Sequence, residues 1–96
     1  MSYEVTGNIE FIHERERLTD TFTKRQFVVE TVSTNDGKTY TNYVKMQVFN
    51  DKCALLDGLE LGDGVKVTFD IGGRKYQVEG DTKYYTDLRA WKIEKV

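Results

Sequence analysis

The sequence predicts an all-β domain: five strands closed into a small barrel, with one short helix between the third and fourth strands. Three observations carry this expectation. Proline is absent while β-branched and aromatic residues are dense, a composition that suits a pleated, half-buried surface. Apolar residues recur at every second position through several runs, which is the period of a strand with one face inward. Turn signals built on glycine, asparagine and aspartate separate the runs. The 96 residues hold no internal repeat, linker or low-complexity tract, so residues 1–96 read as one domain with a small core.

The first run spans Tyr3 to His13. Val5, Gly7, Ile9 and Phe11 alternate with Thr6, Asn8 and Glu10, which places the first set inward. Gly7 within the run points to a bulge or a sharp bend. A polar loop, Glu14 to Thr21, leads to the second run, Phe22 to Ser33, with Phe27, Val29 and Thr31 facing inward. Asp36-Gly37 is the turn that follows, because glycine accepts a positive φ. The third run, Thr39 to Asn50, turns Val44, Met46 and Val48 to the core and Tyr43, Lys45, Gln47 and Phe49 to the other face. Asn50 or Asp51 is the candidate cap of a short helix, Lys52 to Asp57, closed by Gly58.

Leu61-Gly62-Asp63-Gly64 is a second turn. In the fourth run Val65, Val67, Phe69 and Ile71 face in, and Lys66, Thr68 and Asp70 face out. Gly72-Gly73 permits a bend, after which Arg74 to Thr82 forms one arm of a hairpin with Gly80-Asp81 near its tip. The last run, Lys83 to Val96, has Leu88 and Ala90 on one face, then Trp91 and Ile93 on the other. That change of phase predicts a bulge. Strand, strand, strand, helix, strand, strand is the order of an OB barrel, and closing the barrel removes exposed sheet edges.

Composition narrows the function classes. No apolar run reaches the roughly 18 residues of a membrane span, and Met1-Ser2-Tyr3-Glu4-Val5 lacks the basic start and apolar stretch of a signal peptide. A lone Cys53 fits a reducing compartment. The expectation is a soluble, cytoplasmic protein without membrane partners. No nucleophile–base pair, metal cluster or cofactor motif can be assembled from one His, one Cys and scattered acids, so no enzyme and no cofactor is expected. The net charge is −2, but it is uneven: Asp57, Glu60, Asp63 and Asp70 mark an acidic end, while Arg74, Lys75, Lys83, Arg89 and Lys92 follow them. Binding depends on the local field in a groove, so a mildly acidic total is compatible with a polyanionic ligand.

The stretch from Gln26 to Val96 resembles the bacterial single-stranded-DNA-binding proteins. Gln26-Phe27-Val28-Val29-Glu30-Thr31 is similar to their second strand, and Tyr43 to Lys52 to their third. Leu61-Gly62-Asp63-Gly64-Val65 resembles their entry to strand four. Arg74-Lys75-Tyr76 and Tyr84-Tyr85-Thr86 resemble their basic, aromatic hairpin and the start of strand five. The resemblance implies base stacking at Tyr43, Phe49 and Tyr76, and phosphate contacts at Lys45, Arg74 and Lys75. It also implies assembly into a homodimer or homotetramer, with Val5 to Phe11 as the candidate surface. The departures are Tyr43 and Tyr76 where the family has tryptophan, Asn50-Asp51 where it has a glycine, and the absence of a likeness to its acidic, partner-recruiting tail in Trp91 to Val96. The whole chain is also similar to a family of small stand-alone OB domains of bacteria and phages whose function is unsettled, through Phe27 to Thr31, Gly62-Asp63 and Thr86 to Lys92.

The residues themselves point the same way. A single-strand binder needs aromatic faces for exposed bases and cations for phosphates. Tyr43, Lys45, Gln47 and Phe49 interleave both on one strand face. Arg74, Lys75 and Tyr76 on the hairpin, together with Tyr84, Tyr40 and Lys38, complete the candidate site; of Tyr84 and Tyr85, which point to opposite faces, one at most serves it. Arg15 and Arg17 in the first loop are weaker candidates. The plainer reading of Tyr43 and Phe49 is cover for the sheet, and Trp91 reads as core, as do Phe11, Phe27 and Phe69. The first functional expectation is sequence-tolerant binding of single-stranded DNA, or RNA, protecting it in replication or recombination beside replication proteins. The alternative is an OB module that binds a protein and acts as adaptor or inhibitor.

Overall fold

The computed structural model describes residues 2–96. It contains β1 (Tyr3–Ile12), β2 (Glu16–Thr19), β3 (Phe22–Asn35), β4 (Lys38–Phe49), a 3-10 helix (Asn50–Leu56), β5 (Gly64–Val78) and β6 (Asp81–Lys95). The strands run in the order β1-β5-β6-β4-β3-β2, and β1 returns to pair with β3. That return closes β1, β3, β4, β5 and β6 into the expected five-stranded OB barrel, with the helix between β4 and β5. The pairings are antiparallel except β4 with β6. β2 is the added element, a short flap on the outer edge of β3. Its residues Glu16-Arg17-Leu18-Thr19 are exposed throughout, so no alternation marks it in the sequence.

The barrel interior is filled by alternate residues of each strand: Ile9 from β1, Phe27 and Val29 from β3, Met46 and Val48 from β4, Val65 and Val67 from β5, and Ala90 from β6. Cys53 and Leu56 of the helix plug one end. Burial pushes the Cys53 thiol pKa up, which keeps it unreactive. No helix among the described residues is long and apolar enough to cross a membrane.

Closure depends on Gly7. β1 pairs with β5 through Tyr3–Asn8 and with β3 through Asn8–Ile12. At the crossover a side chain on Gly7 would run into the Glu30 backbone carbonyl and lie 2.8 Å from Val29 Cγ1. Gly7 therefore permits a close approach, while the irregularity in the strand falls later, between Ile9 and Phe11. That bulge corrects the inward placement of Phe11: the phase changes, Ile12 packs against the core, and Phe11 is 49% exposed.

Three further expectations are corrected. Ile71 continues the inward phase of β5 but lies 54% exposed: the described pairing of β1 with β5 reaches Phe69, and past it β5 pairs with β6 alone, whose Leu88 still packs on the core. Gly72-Gly73 makes no bend; β5 is continuous, and a Cβ on Gly72 would sit 3.0 Å from the Arg89 guanidinium, which lies across it. The helix begins at Asn50 with Phe49 as its cap residue and no side-chain cap. Asn50 Oδ1 instead accepts a hydrogen bond from the Thr23 backbone N–H at 2.9 Å, tying the helix to β3.

Candidate nucleic-acid interface

The outer face of the barrel across β3, β4 and β6 carries a groove of about 690 Å³. Its floor follows from strand pairing. The Asp36-Gly37 turn, with φ of 51° and 76°, joins β3 to β4 without a bulge. Register then places Lys24 opposite Phe49, Gln26 opposite Gln47, and Glu30 opposite Tyr43. All of these alternate with the buried Phe27, Val29, Met46 and Val48, so they face outward. Phe22 stacks on Phe49 with ring centroids 5.2 Å apart and planes 17° from parallel. The groove is completed by Leu18 of β2 and by Arg74, Asp87 and Arg89 of the β5–β6 hairpin.

Asp87 anchors the hairpin to the barrel. It accepts a hydrogen bond from Gln47 Nε2 at 3.1 Å and lies 3.6 Å from Arg74 Nη2. The negative charge in the groove is thus matched locally. Lys24 has only a loose contact with Glu16, at 3.9 Å, and Arg89 makes no ion pair among the described residues. An anionic chain entering the groove meets Lys24, Arg74 and Arg89 beside the Phe22–Phe49 stack. Stacked rings flanked by cations give both contacts that a single strand needs.

The remaining candidates divide between two faces. Tyr76 meets Tyr85 edge to face, centroids 5.6 Å apart, and these two with Arg74, Val78 and Lys83 line a second concavity on the hairpin. Lys75 pairs across the strands with Tyr84 on the opposite face. Lys45 lies beside Gln47 in a shallower concavity shared with Gln26 and Asp87. Tyr43 is 61% exposed but is opposite the acid Glu30. Lys38 and Tyr40 share the other face of β4, by alternation with Tyr43, and lie in the hairpin arm beyond the barrel. The structure therefore brings Gln47, Phe49, Arg74 and Tyr76 to one side, near Lys45 and Tyr43, and does not bring Lys75, Tyr84, Lys38 or Tyr40 to it.

Arg15 and Arg25 both clamp Asp57, at 2.8 and 2.9 Å, and Arg25 also donates to the His13 carbonyl. Arg17 contacts Asp20. The acidic end is likewise partly structural: Asp57 holds the two arginines, and Asp63 accepts the Glu60 N–H at 2.8 Å and contacts Lys95. These bonds hold the Asp63 carboxyl below the usual carboxylate range. No three of His, Cys, Asp or Glu among the described residues converge as a metal site.

Phe22, Lys24, Gln26 and Arg89 line the groove outside the expected set of residues, and on the hairpin it is Tyr85, not Tyr84, that joins Tyr76. The signal for the first three was present in the two-residue turn, which fixes their partners on β4. Tyr85 was available in the same way from the β5–β6 register.

Residues 4–94 match the family model described as domain of unknown function DUF3127, and the chain belongs to that family. No curated protein matches its sequence. Among solved structures it is similar to a deletion mutant of the single-stranded DNA binding protein from Thermus aquaticus, with a TM-score of 0.73 and 15% identity over 99% of this chain. This chain spans about half (49%) of the Thermus one. It is similar to the small single-stranded DNA-binding protein from Streptomyces coelicolor, with a TM-score of 0.62 and 17% identity over 100% of this chain and 94% of the other. It is also similar to the Plasmodium falciparum SSB solved in complex with ssDNA, with a TM-score of 0.75 and 16% identity over 99% and 93% of the two chains. At these identities the likeness is one of fold.

Proposed function

From this family membership, whose function is unassigned, and from the barrel it shares with those structures, we propose that the chain binds single-stranded DNA with little sequence preference. The observation that carries the reading is the outer groove in which the Phe22–Phe49 stack lies between Lys24, Arg74 and Arg89. Bases stack on these half-buried rings where they line the groove, and each stacked base is worth roughly 1–3 kcal/mol. Phosphates meet the cations. Neither contact reads base edges, so the binding tolerates any sequence. Duplex DNA keeps its bases stacked on one another and gains little from the rings. The protein acts by sequestration, holding the strand extended and unable to re-pair, a role suited to replication or recombination.

A protein partner is the second reading, favoured by Asp87 in the groove and Glu30 beside Tyr43. The test is fluorescence anisotropy of labelled oligo-dT at low and moderate salt, with duplex of equal length as control. Salt-sensitive binding to the single strand alone is expected, and Tyr43→Ala, Phe49→Ala and Tyr76→Ala together should weaken it strongly without unfolding the barrel. Absence of binding at low salt would overturn the proposal, and a triple variant as tight as wild type would remove this face as the site.

A further inference from the structure

The bulge in β6 displaces one residue. Phe69 of β5 pairs with Ala90, but the preceding Thr68 pairs with Lys92, so Trp91 is the extra residue between them. Leu88, Ala90 and Ile93 all pack on the core, and the bulge is what keeps Ile93 in phase with the other two. Trp91 is left outside. It is 41% exposed, which corrects its expected place in the core.

Its ring lines a concavity of about 520 Å³ with Phe49, Lys52, Asp70 and Arg89. Two of those residues, Phe49 and Arg89, also line the outer groove, so the two hollows are neighbours that meet at these side chains. Asp70 is partly occupied, accepting a hydrogen bond from Ser2 Oγ at 2.9 Å and lying across the strands from Arg89. Lys52 and Arg89 make no ion pair among the described residues. A partly exposed indole that lines one hollow together with Lys52 and Arg89 repeats the chemistry of the Phe22–Phe49 site.

We propose that Trp91 is a base-stacking position at one end of the nucleic-acid groove, with Arg89 and Lys52 contacting the flanking phosphates. The inference rests on the single-stranded DNA reading and extends the strand's path from the β5–β6 hairpin, past Phe22 and Phe49, to the end of the barrel beside the helix.

Trp91 is the sole tryptophan of the chain, so its emission reports on this position alone. Unlabelled protein is titrated with oligo-dT while tryptophan emission is recorded, and anisotropy of labelled oligo-dT is followed in parallel on wild type, Trp91→Ala and Trp91→Phe. Emission should fall in step with binding. Trp91→Ala should raise Kd by roughly 5- to 140-fold, the equivalent of one lost stack, and Trp91→Phe should recover most of the affinity. Binding by anisotropy with unchanged emission, or Trp91→Ala binding as tightly as wild type, overturns the Trp91 assignment and leaves the groove standing. Absence of any binding by wild type overturns the functional reading itself. Because the emission experiment uses unaltered protein, a variant that misfolds does not decide the outcome.

Discussion

At Gly7 the first strand passes from β5 to β3, and the space for a side chain is taken by the Glu30 carbonyl and Val29. Backbone cannot move aside as a flexible side chain can, so overpacking here belongs at the upper end of its usual cost, about 3 kcal/mol. Gly7→Ala should lower Tm by on the order of 10 °C or more, while Gly58→Ala, with nothing within 4 Å of its new carbon, should leave Tm unchanged or slightly raised. Thermal melts of both variants check this; equal melting of Gly7→Ala and wild type would mean that the approach is not tight. A glycine's presence is plain in the sequence, but its reason is not. Within a strand it signals equally a bulge, a bend or a close approach, and only the partner strands decide. Phe11 was illegible for the same cause: it follows a bulge, and a single inserted residue reverses every later inside–outside assignment. At Trp91 the change of phase was visible, but which residue the bulge expels is decided by the pairing with β5.

Elements were more legible than single side chains. The core strands show their alternation directly, and each hairpin tip fixes a whole register once its turn is recognised. The β3–β4 pairing runs unbroken from Asn35–Lys38 back to Lys24–Phe49, and so assembles the groove floor from one turn. Tyr84 is the expected member of the candidate site, whereas the β5–β6 register sets Tyr85 on the face of Tyr76 and Arg74. The turn that joins the helix to β5 was legible, but its partner was not. Gly62 N–H donates to the Ile9 carbonyl at 2.7 Å and Ile9 N–H to the Asp63 carbonyl at 2.9 Å, so this turn extends the pairing of β1. The Asp63 carboxylate fastens it, chiefly by accepting the Glu60 N–H and then through Lys95, and its folded pKa is lowered as a result. A lowered carboxylate pKa adds stability that is fully present above the unfolded value, about 3.9 for aspartate, and is lost as pH falls through the folded value. Asp63→Ala should therefore be less stable than wild type at neutral pH, and the gap should close on acidification below about pH 4. Urea titrations across that range measure it. A gap that stays constant would show that the carboxylate's charge does not hold the turn.

For the whole molecule, the net charge of −2 argues against indiscriminate attraction to polyanions. The cations are partly spent within the fold: Arg15 and Arg25 on Asp57, Lys66 on Glu4, Lys92 on Glu94. Those that line the outer grooves, Lys24, Lys45, Arg74 and Arg89, are held loosely or not at all among the described residues. Any affinity for a nucleic acid is therefore concentrated on one side, and its salt dependence counts the contacts made there. Each phosphate neutralised on a single strand contributes about −0.7 to the slope of log K against log salt, so engagement of these four gives a slope of about −3, and of Lys52 at the Trp91 end as well about −3.5. Arg89→Ala should weaken binding to every sequence alike and make the slope shallower by about 0.7. Arg15→Ala, which removes a guanidinium already paired with Asp57 and outside the groove, should leave the slope unchanged. Oligo-dT titrations at several salt concentrations separate the cases. A salt-independent affinity for oligo-dT would show that stacking alone holds the strand and that these cations meet no phosphate.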